Sequence, residues 1–136
     1  PGARVISLQM QEADGEDVER LGVEAGSQIV CLCRLRLCDG VPVMLEINHF
    51  PPKYEPLLQQ DVSGSLYDLL CQLGAVPTSA THDISLGHAT PMVSRQLSTE
   101  PGEALLILDE LVLDQHGEPL HLSRQWIRGD RYTFRI

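Results

Sequence analysis

Two arginines at alternate positions of one apolar strand pattern are the strongest candidates for ligand chemistry. Arg34 and Arg36 lie within the predicted strand 27–37, so both side chains leave the same face of a sheet. Two guanidinium groups on one face can hold a phosphate or a carboxylate through paired hydrogen bonds. The competing interpretation is a pair of surface arginines that make ordinary ion pairs.

Glu46 follows on the predicted return strand, and the turn between the strands decides which face it occupies. A two-residue loop of Asp39 and Gly40 would place Glu46 on the face opposite the arginines. A three-residue loop that starts at Cys38, with Gly40 in the left-handed position of a bulge, would place it beside them. The sequence permits both. Beside the arginines, Glu46 can pair with them or accept a hydroxyl or amine from a ligand.

Four further polar residues are candidates, two at the start of a predicted helix and two on one face of a predicted strand. Ser65 opens the predicted helix 65–73, where free backbone N–H groups attract anions, and Tyr67 adds a second hydroxyl. His121 and Ser123 alternate along a strand and so share one face. The simpler interpretations are a helix N-cap with a packing tyrosine, and a solvent-facing strand edge.

The cysteines and histidines form no known metal-binding or catalytic pattern. Cys31, Cys33 and Cys38 lack the paired Cys-x-x-Cys spacing, with histidines, that zinc sites use. The sequence has no phosphate-binding loop, dinucleotide fingerprint or nucleophile elbow, and nothing in it points to a Ser–His–Asp triad. We therefore expect no catalytic residues, no metal and no cofactor.

The chain repeats itself, and the repeat predicts the elements that position these residues. Residues 6–8, Ile-Ser-Leu, recur at 84–86, and the leucine and glycine positions that follow recur in the same order. Ser123 then corresponds to Glu46, so the two halves present different polar groups. Two copies indicate a duplicated fold unit rather than a solenoid.

Each unit is predicted to form a strand, a short helix and a β-hairpin, with further helix between the units. The fold class is therefore α+β with an antiparallel sheet, and two halves that meet around an approximate two-fold axis leave a cleft for a small ligand. The predicted elements are 3–11, 17–21, 27–37, 43–50, 54–59, 65–73, a helix near 92–97 within the second unit 78–127, and a final strand at 132–136.

Composition and charge limit the classes of function. The 136 residues carry a net charge of −9, and 43% are hydrophobic but only 4% aromatic, which predicts one domain with an aliphatic core. A surface of this charge repels phosphate backbones and anionic membranes, so this segment alone should bind neither. The sequence shows no long apolar run and no signal peptide, and its cysteines favour a reducing, cytoplasmic setting.

These motifs, taken in order, resemble the UTRA domain, the effector-sensing domain of HutC-type regulators in the GntR family. The matching motifs are RLRLCDGVPVMLE (34–46), SLY (65–67), LS (122–123) and RGDRY (128–132), and the resemblance extends over residues 4–136. It implies a chorismate-lyase-like fold, a homodimer, and a winged helix-turn-helix domain before residue 1. Residues 1–136 would then be an effector-binding and dimerisation domain, with DNA bound only through the other domain.

The resemblance also implies how the site works. The family's matches to Arg34, Arg36 and Ser65 hold the anionic group of the effector, a phosphosugar or a carboxylate. Its matches to Glu46 and Tyr67 line the rest of the pocket. His121 and Ser123, from their shared strand face, join these residues in the predicted effector site. The family pattern favours the three-residue turn.

Two positions depart from the family pattern, and two other functions compete. Members that sense amino-sugar phosphates often have an acidic residue at the position of His121 and an aromatic residue at that of Ile127, which argues against such a ligand. The competing functions are a chorismate-pyruvate lyase on the same fold and a dimerisation module with a vestigial pocket.

Overall fold

Six strands, some apolar on one face and some on both, pair into one antiparallel sheet, and this confirms the α+β class. The computed structural model describes residues 3–130, and the strand predicted at 132–136 lies outside them. The strands are β1 (Ala3–Glu12), β2 (Gln28–Cys38), β3 (Val41–Phe50), β4 (Ser79–His88), β5 (Ala104–Leu113) and β6 (Pro119–Ile127). The helical segments are a π-helical turn (Asp17–Leu21), a 3₁₀ helix (Pro52–Gln59), α1 (Leu66–Gln72) and α2 (Pro91–Leu97). Across the sheet the strand order is β1-β2-β3-β6-β5-β4.

The duplication in the sequence is visible as an approximate two-fold axis at the centre of the sheet. The two hairpins meet through antiparallel pairing of β3 with β6, where Ile47 lies opposite Arg124. The repeat offset that relates Glu46 to Ser123 also relates Ile47 to Arg124, so the axis passes between two residues that are paired. An axis perpendicular to the sheet keeps each residue and its counterpart on the same face.

Both hairpins carry the same irregularity, one extra residue a few positions after the turn. The pairing of β2 with β3 shifts by one residue beyond Leu37, and Val43 is the extra residue. The pairing of β5 with β6 shifts in the same way, with Leu120 as the extra residue. Val43 and Leu120 are counterparts in the repeat, so the bulge belongs to the duplicated unit.

Helical segments cover both faces of the sheet, and the core therefore has two layers. On one face, here called the α1 face, Val30 and Leu32 pack beneath the 3₁₀ helix and α1. On the other, the α2 face, Leu35 and Leu45 pack beneath α2, and the π-helical turn lies farther along the same face. Burial on both sides explains why β2 is apolar at nearly every position, as predicted for an interior strand. Within residues 3–130, no helix is long and apolar enough to span a bilayer.

Candidate functional site

A cavity of about 550 Å³ lies on the α1 face, between the sheet and the chain that leads into α1. Its walls come from both halves of the repeat and from the segment that joins them. Six of the seven residues predicted to form the site border it. The polar residues that line it are Arg34, Arg36, Glu46, Asn48, Ser63, Ser65, Tyr67, Glu110, His121 and Gln125.

A tight turn and a bulge together bring Glu46 opposite Arg34. Asp39 and Gly40 form a two-residue loop with φ angles of 51° and 77°, as in a type I′ turn. The three-residue loop favoured by the resemblance is therefore wrong. A two-residue loop alone would leave Glu46 on the other face, but the extra residue Val43 shifts the register by one.

Arg34 is a buried residue, so its interpretation as a surface arginine is wrong. It is 3% exposed, and its Nε donates a hydrogen bond of 2.8 Å to Oε1 of Glu46, which is 5% exposed. Its Nη1 donates to the backbone carbonyls of Val62, at 3.1 Å, and Gly64, at 2.8 Å. Arg34 therefore ties the sheet to the segment before α1 and fixes one wall of the cavity.

Arg36 shares the carboxylate of Glu46 but is far more accessible. Its side chain is 45% exposed, and Nη1 donates to Glu46 Oε2 at 3.4 Å. One carboxylate between two guanidinium groups leaves one positive charge on this side of the cavity. The carboxylate of Glu110, across the cavity, is paired with His82. Arg36 is thus the cation best placed to meet a ligand.

His121 belongs to a buried polar network beside this pair. Its Nε2 lies 2.7 Å from Asn48 Oδ1, and the ring stacks on Phe50 with centroids 4.6 Å apart. Asn48 uses its NH₂ group to donate to the carbonyl of Leu32 at 3.2 Å, so its oxygen is the acceptor. His121 must therefore carry its proton on Nε2 to donate to that oxygen.

The surroundings of His121 keep its ring uncharged. Burial, followed by the positive charges of Arg34 and His49, lowers the pKa of His121 to about 3. At neutral pH the ring is a polar but uncharged part of the cavity wall. The ring therefore lacks the negative charge that an acidic residue would have at this position. It also adds no third positive charge beside Arg34 and Arg36.

Ser65 and Tyr67 border the cavity from the start of α1. Ser65 Oγ accepts a hydrogen bond of 3.2 Å from the backbone N–H of Asp68, which confirms the predicted N-cap. Because the oxygen acts as an acceptor there, the hydroxyl hydrogen can still be donated to a ligand. The Tyr67 side chain is exposed at the cavity rim.

Ser123 is buried in β6 and is the one predicted residue absent from the lining of this cavity. It lies opposite Asn48, and its Oγ accepts from Gln125 Nε2 at 3.3 Å. The solvent-facing strand edge proposed for His121 and Ser123 is wrong, because β6 is central and both residues are buried. The sequence reasoning missed Asn48 and Gln125, although the two-residue period from Glu46 and Ser123 points to them.

Comparison with known proteins identifies the family. The family model for the UTRA domain matches residues 1–133. The chain is 28% identical to the HTH-type transcriptional repressor NagR of Bacillus subtilis (strain 168) over 136 residues, which cover 98% of this chain and 56% of that protein. The chain spans about half the length of the curated relatives it matches.

Two solved structures show the same fold. The effector domain of PhnF from Mycobacterium smegmatis superposes with a TM-score of 0.92 at 26% identity, covering 98% of this chain and 84% of that one. The C-terminal domain of Yurk from Bacillus subtilis superposes with a TM-score of 0.90 at 26% identity, covering 97% and 92%. The chain therefore belongs to the UTRA domain family and has the fold of the effector-binding domains of GntR-family transcriptional regulators.

Proposed function

We propose that this domain binds a small anionic metabolite, a phosphosugar or a carboxylate, in the cavity on the α1 face. The observation that carries the proposal is the convergence of Arg34 and Arg36 on Glu46 at the cavity wall. Two guanidinium groups share one carboxylate, which leaves a positive charge for the anionic group of the ligand. A volume of about 550 Å³ suits a metabolite of sugar size.

The residues around the cavity divide the work of recognition. Arg36, being accessible, and the Ser65 hydroxyl hold the anionic group. Arg34 is already bonded to other groups of the protein and positions Glu46. The Glu46 carboxylate accepts a hydrogen bond from a hydroxyl of the ligand, and the side-chain amide of Gln125 also contacts that hydroxyl. A ligand with one anionic end and a hydroxylated body satisfies this arrangement.

The two departures from the family pattern have different weight in the structure. His121 lines the cavity as an uncharged ring, so it offers no negative charge to an ammonium group. Ile127 is fully buried in a cluster with Met44 and Leu108, and it is not among the described residues that line the cavity. His121 is therefore the departure that bears on the choice of ligand.

We infer that in the whole protein this binding is coupled to DNA binding by a separate N-terminal domain. The relatives are named as transcriptional repressors or regulators, and they are about twice as long as this chain. The net charge of −9 supports DNA binding by a different part of the protein, since this segment repels DNA phosphates. The coupling would be reciprocal and about 1–3 kcal/mol in size.

We further propose that the domain forms a homodimer in the cytoplasm. β4 is an edge strand of ten residues, exposed along nearly its whole length. It displays Ile84 and Leu86, which are 50% and 77% exposed. Within residues 3–130 this strand has only β5 as a neighbour, and an edge with exposed apolar side chains favours pairing with another copy of the chain.

Calorimetric titration with a panel of phosphosugars and carboxylates tests the proposed site. Arg36→Gln should weaken the best ligand by about 10- to 100-fold, because one charge-assisted hydrogen bond is lost. Arg124→Gln is the matched control: its side chain is 48% exposed, also on a strand and also paired with a carboxylate, but on the α2 face. Unchanged affinity in Arg36→Gln would place the ligand elsewhere.

Two further outcomes would replace the proposal. Formation of 4-hydroxybenzoate from chorismate would identify a lyase. Dimers whose melting temperature responds to no member of the panel would support a dimerisation module, because a ligand that binds the native state must stabilise it.

A further inference from the structure

A second cavity, of about 310 Å³, lies on the α2 face and is separate from the proposed effector site. The π-helical turn and the loop before it form one wall, and the central strands form its floor. Asp14, Glu16, Asp17, His49 and Asp109 border it. No element of the proposed function uses this group of side chains.

Three donor side chains converge at one end of this second cavity. His49 Nδ1 lies 2.7 Å from Asp17 Oδ1, and Asp17 is completely buried. The carboxylates of Asp14 and Asp17 are fixed by reciprocal bonds: the N–H of Asp14 donates to Asp17 Oδ2 at 2.9 Å, and the N–H of Asp17 donates to Asp14 Oδ1 at 2.8 Å. One ligand atom from each of the three residues lies within 4.8 Å of the others.

These separations suit a small dication after a modest adjustment. Bonds of about 2.0–2.2 Å to tetrahedral Zn²⁺ place neighbouring donor atoms about 3.3 Å apart. The 2.7 Å contact between His49 and Asp17 must therefore widen by roughly half an ångström. A separation near the 4.8 Å limit must in turn narrow by about 1.5 Å. Asp14 lies on the exposed loop before the turn, so its side chain is the one that can move by this amount.

The repeat shows that the fold does not require polar donors at this place. Cys31 and His49 are paired across β2 and β3 on the α2 face. In the second half their counterparts are Ile107 and Trp126, which are paired in the same way across β5 and β6. Trp126 packs against the apolar cluster beneath α2. The same backbone position is thus filled by apolar side chains in one half and by a thiol and an imidazole in the other.

The charge around the cluster favours a cation. Glu16 and Asp109 add two carboxylates to the border of the cavity. Of the described residues on this border, Arg124 is the only arginine, and it is already bonded to Asp109 through Nε at 2.7 Å and Nη2 at 3.2 Å.

Burial lowers the pKa of His49, but hydrogen bonds to Cys31 and Asp17 outweigh it and raise the pKa to about 9. The ring is therefore protonated at neutral pH, and a metal ion must displace that proton. Four carboxylates still outnumber the two positive charges, so a dication entering this cavity meets an excess of negative charge.

We propose that Asp14, Asp17 and His49 bind a divalent transition-metal ion, with Zn²⁺ as the best match to two carboxylates and an imidazole. Imidazole favours zinc and its neighbours over Mg²⁺, which prefers oxygen donors alone. Three protein ligands leave the fourth position open to water or to a second ligand in the cavity. The donors come from sequence positions 14, 17 and 49, which is why no motif in the sequence shows the site.

Titration of the chelator-treated domain with ZnCl₂, and separately with MgCl₂, tests this proposal. The wild type should bind one Zn²⁺ at this site, at least tenfold more tightly than Mg²⁺, with a rise in melting temperature. Asp14→Asn should weaken Zn²⁺ at least tenfold and leave the fold of the metal-free domain intact, because the amide oxygen can still accept from the N–H of Asp17. Glu16→Gln removes one negative charge from the same cavity but not from the three proposed ligands, so it should retain the wild-type affinity for Zn²⁺.

The remaining outcomes decide between this site and nonspecific binding. An anomalous-scattering peak between the three side chains, absent in His49→Gln crystals, would establish it directly. Equal loss of affinity in Asp14→Asn and Glu16→Gln would show a diffuse attraction to acidic surface and overturn the proposal. Unchanged Zn²⁺ binding in both Asp14→Asn and His49→Gln would do the same.

Discussion

Arg34 and Glu46 lie directly opposite one another on β2 and β3, joined by a 2.8 Å hydrogen bond between Nε and Oε1, and both are almost completely buried. The pair belongs to the fold as much as to the cavity, since Arg34 also holds the segment before α1. Removing one partner of such a pair leaves a buried charge without a counterion, whereas replacing both by apolar residues often changes stability little.

We therefore predict that stability and ligand binding separate in variants of this pair. Glu46→Leu should lower the free energy of unfolding by about 3–5 kcal/mol, because Arg34 is left uncompensated. The double variant Arg34→Met/Glu46→Leu should recover part of this loss, because the buried charge is gone but the bonds to Val62 and Gly64 are lost with it. It should nevertheless bind no effector. Urea denaturation and calorimetry on the same samples measure both effects. A double variant as unstable as Glu46→Leu would contradict this account of the pair.

His121 should make the domain less stable in mild acid. Its folded-state pKa of about 3 lies below the ordinary value of 6.5, so between these values the unfolded chain binds a proton that the folded chain excludes. The free energy of unfolding should fall by up to about 1.4 kcal/mol for each pH unit below 6.5, and this loss is absent above 6.5.

His121→Phe keeps a ring to stack on Phe50 and removes the titrating group. Between pH 6.5 and 5, where most carboxylates are still ionised, this contribution should make the wild type lose stability as the pH falls, and His121→Phe should lack it. Parallel stability profiles over this interval would show that His121 takes up its proton in the folded state as readily as in the unfolded chain.

The cavity wall shows how far the sequence alone could go. The two-residue alternation correctly placed Arg34 and Arg36 on one face, because side-chain direction in a strand depends only on the backbone. The face of Glu46 stayed open, because it depends on the turn and the bulge together. Asp39-Gly40 is typical of a type I′ turn, but no residue type marks Val43 as the bulge.

Burial was harder to predict than direction. The partners of Arg34 outside the strand pair are backbone carbonyls of Val62 and Gly64, which no side-chain pattern reveals. A solvent-facing strand edge likewise stayed possible for His121, because its hydrogen-bond partner Asn48 lies 73 residues away along the chain. Contacts of this kind depend on strand order, which neither spacing nor composition specifies.

The exposed edge strand gives a direct test of the proposed dimer. Leu86 on β4 is 77% exposed, so Leu86→Lys should reduce self-association by adding charge without disturbing the core. Light scattering after size exclusion should find dimers in the wild type and monomers in Leu86→Lys. Leu73→Lys, at a 36% exposed leucine outside β4, should remain dimeric. A Leu86→Lys variant that is still a dimer would move the interface to another surface.

Ser65 should contribute to both the helix and the ligand, and the chain offers a control that separates the two. Ser65 caps α1 as Thr90 caps α2, each side-chain oxygen accepting from a backbone N–H three residues on. Ser65→Ala and Thr90→Ala should each cost about 1 kcal/mol of stability. Only Ser65 borders the cavity on the α1 face, so Ser65→Ala alone should also weaken the effector, by about tenfold for one hydrogen bond to an anion. Equal effects of the two variants on affinity would mean that Ser65 acts only as a helix cap, and that the anion is held by Arg36 without it.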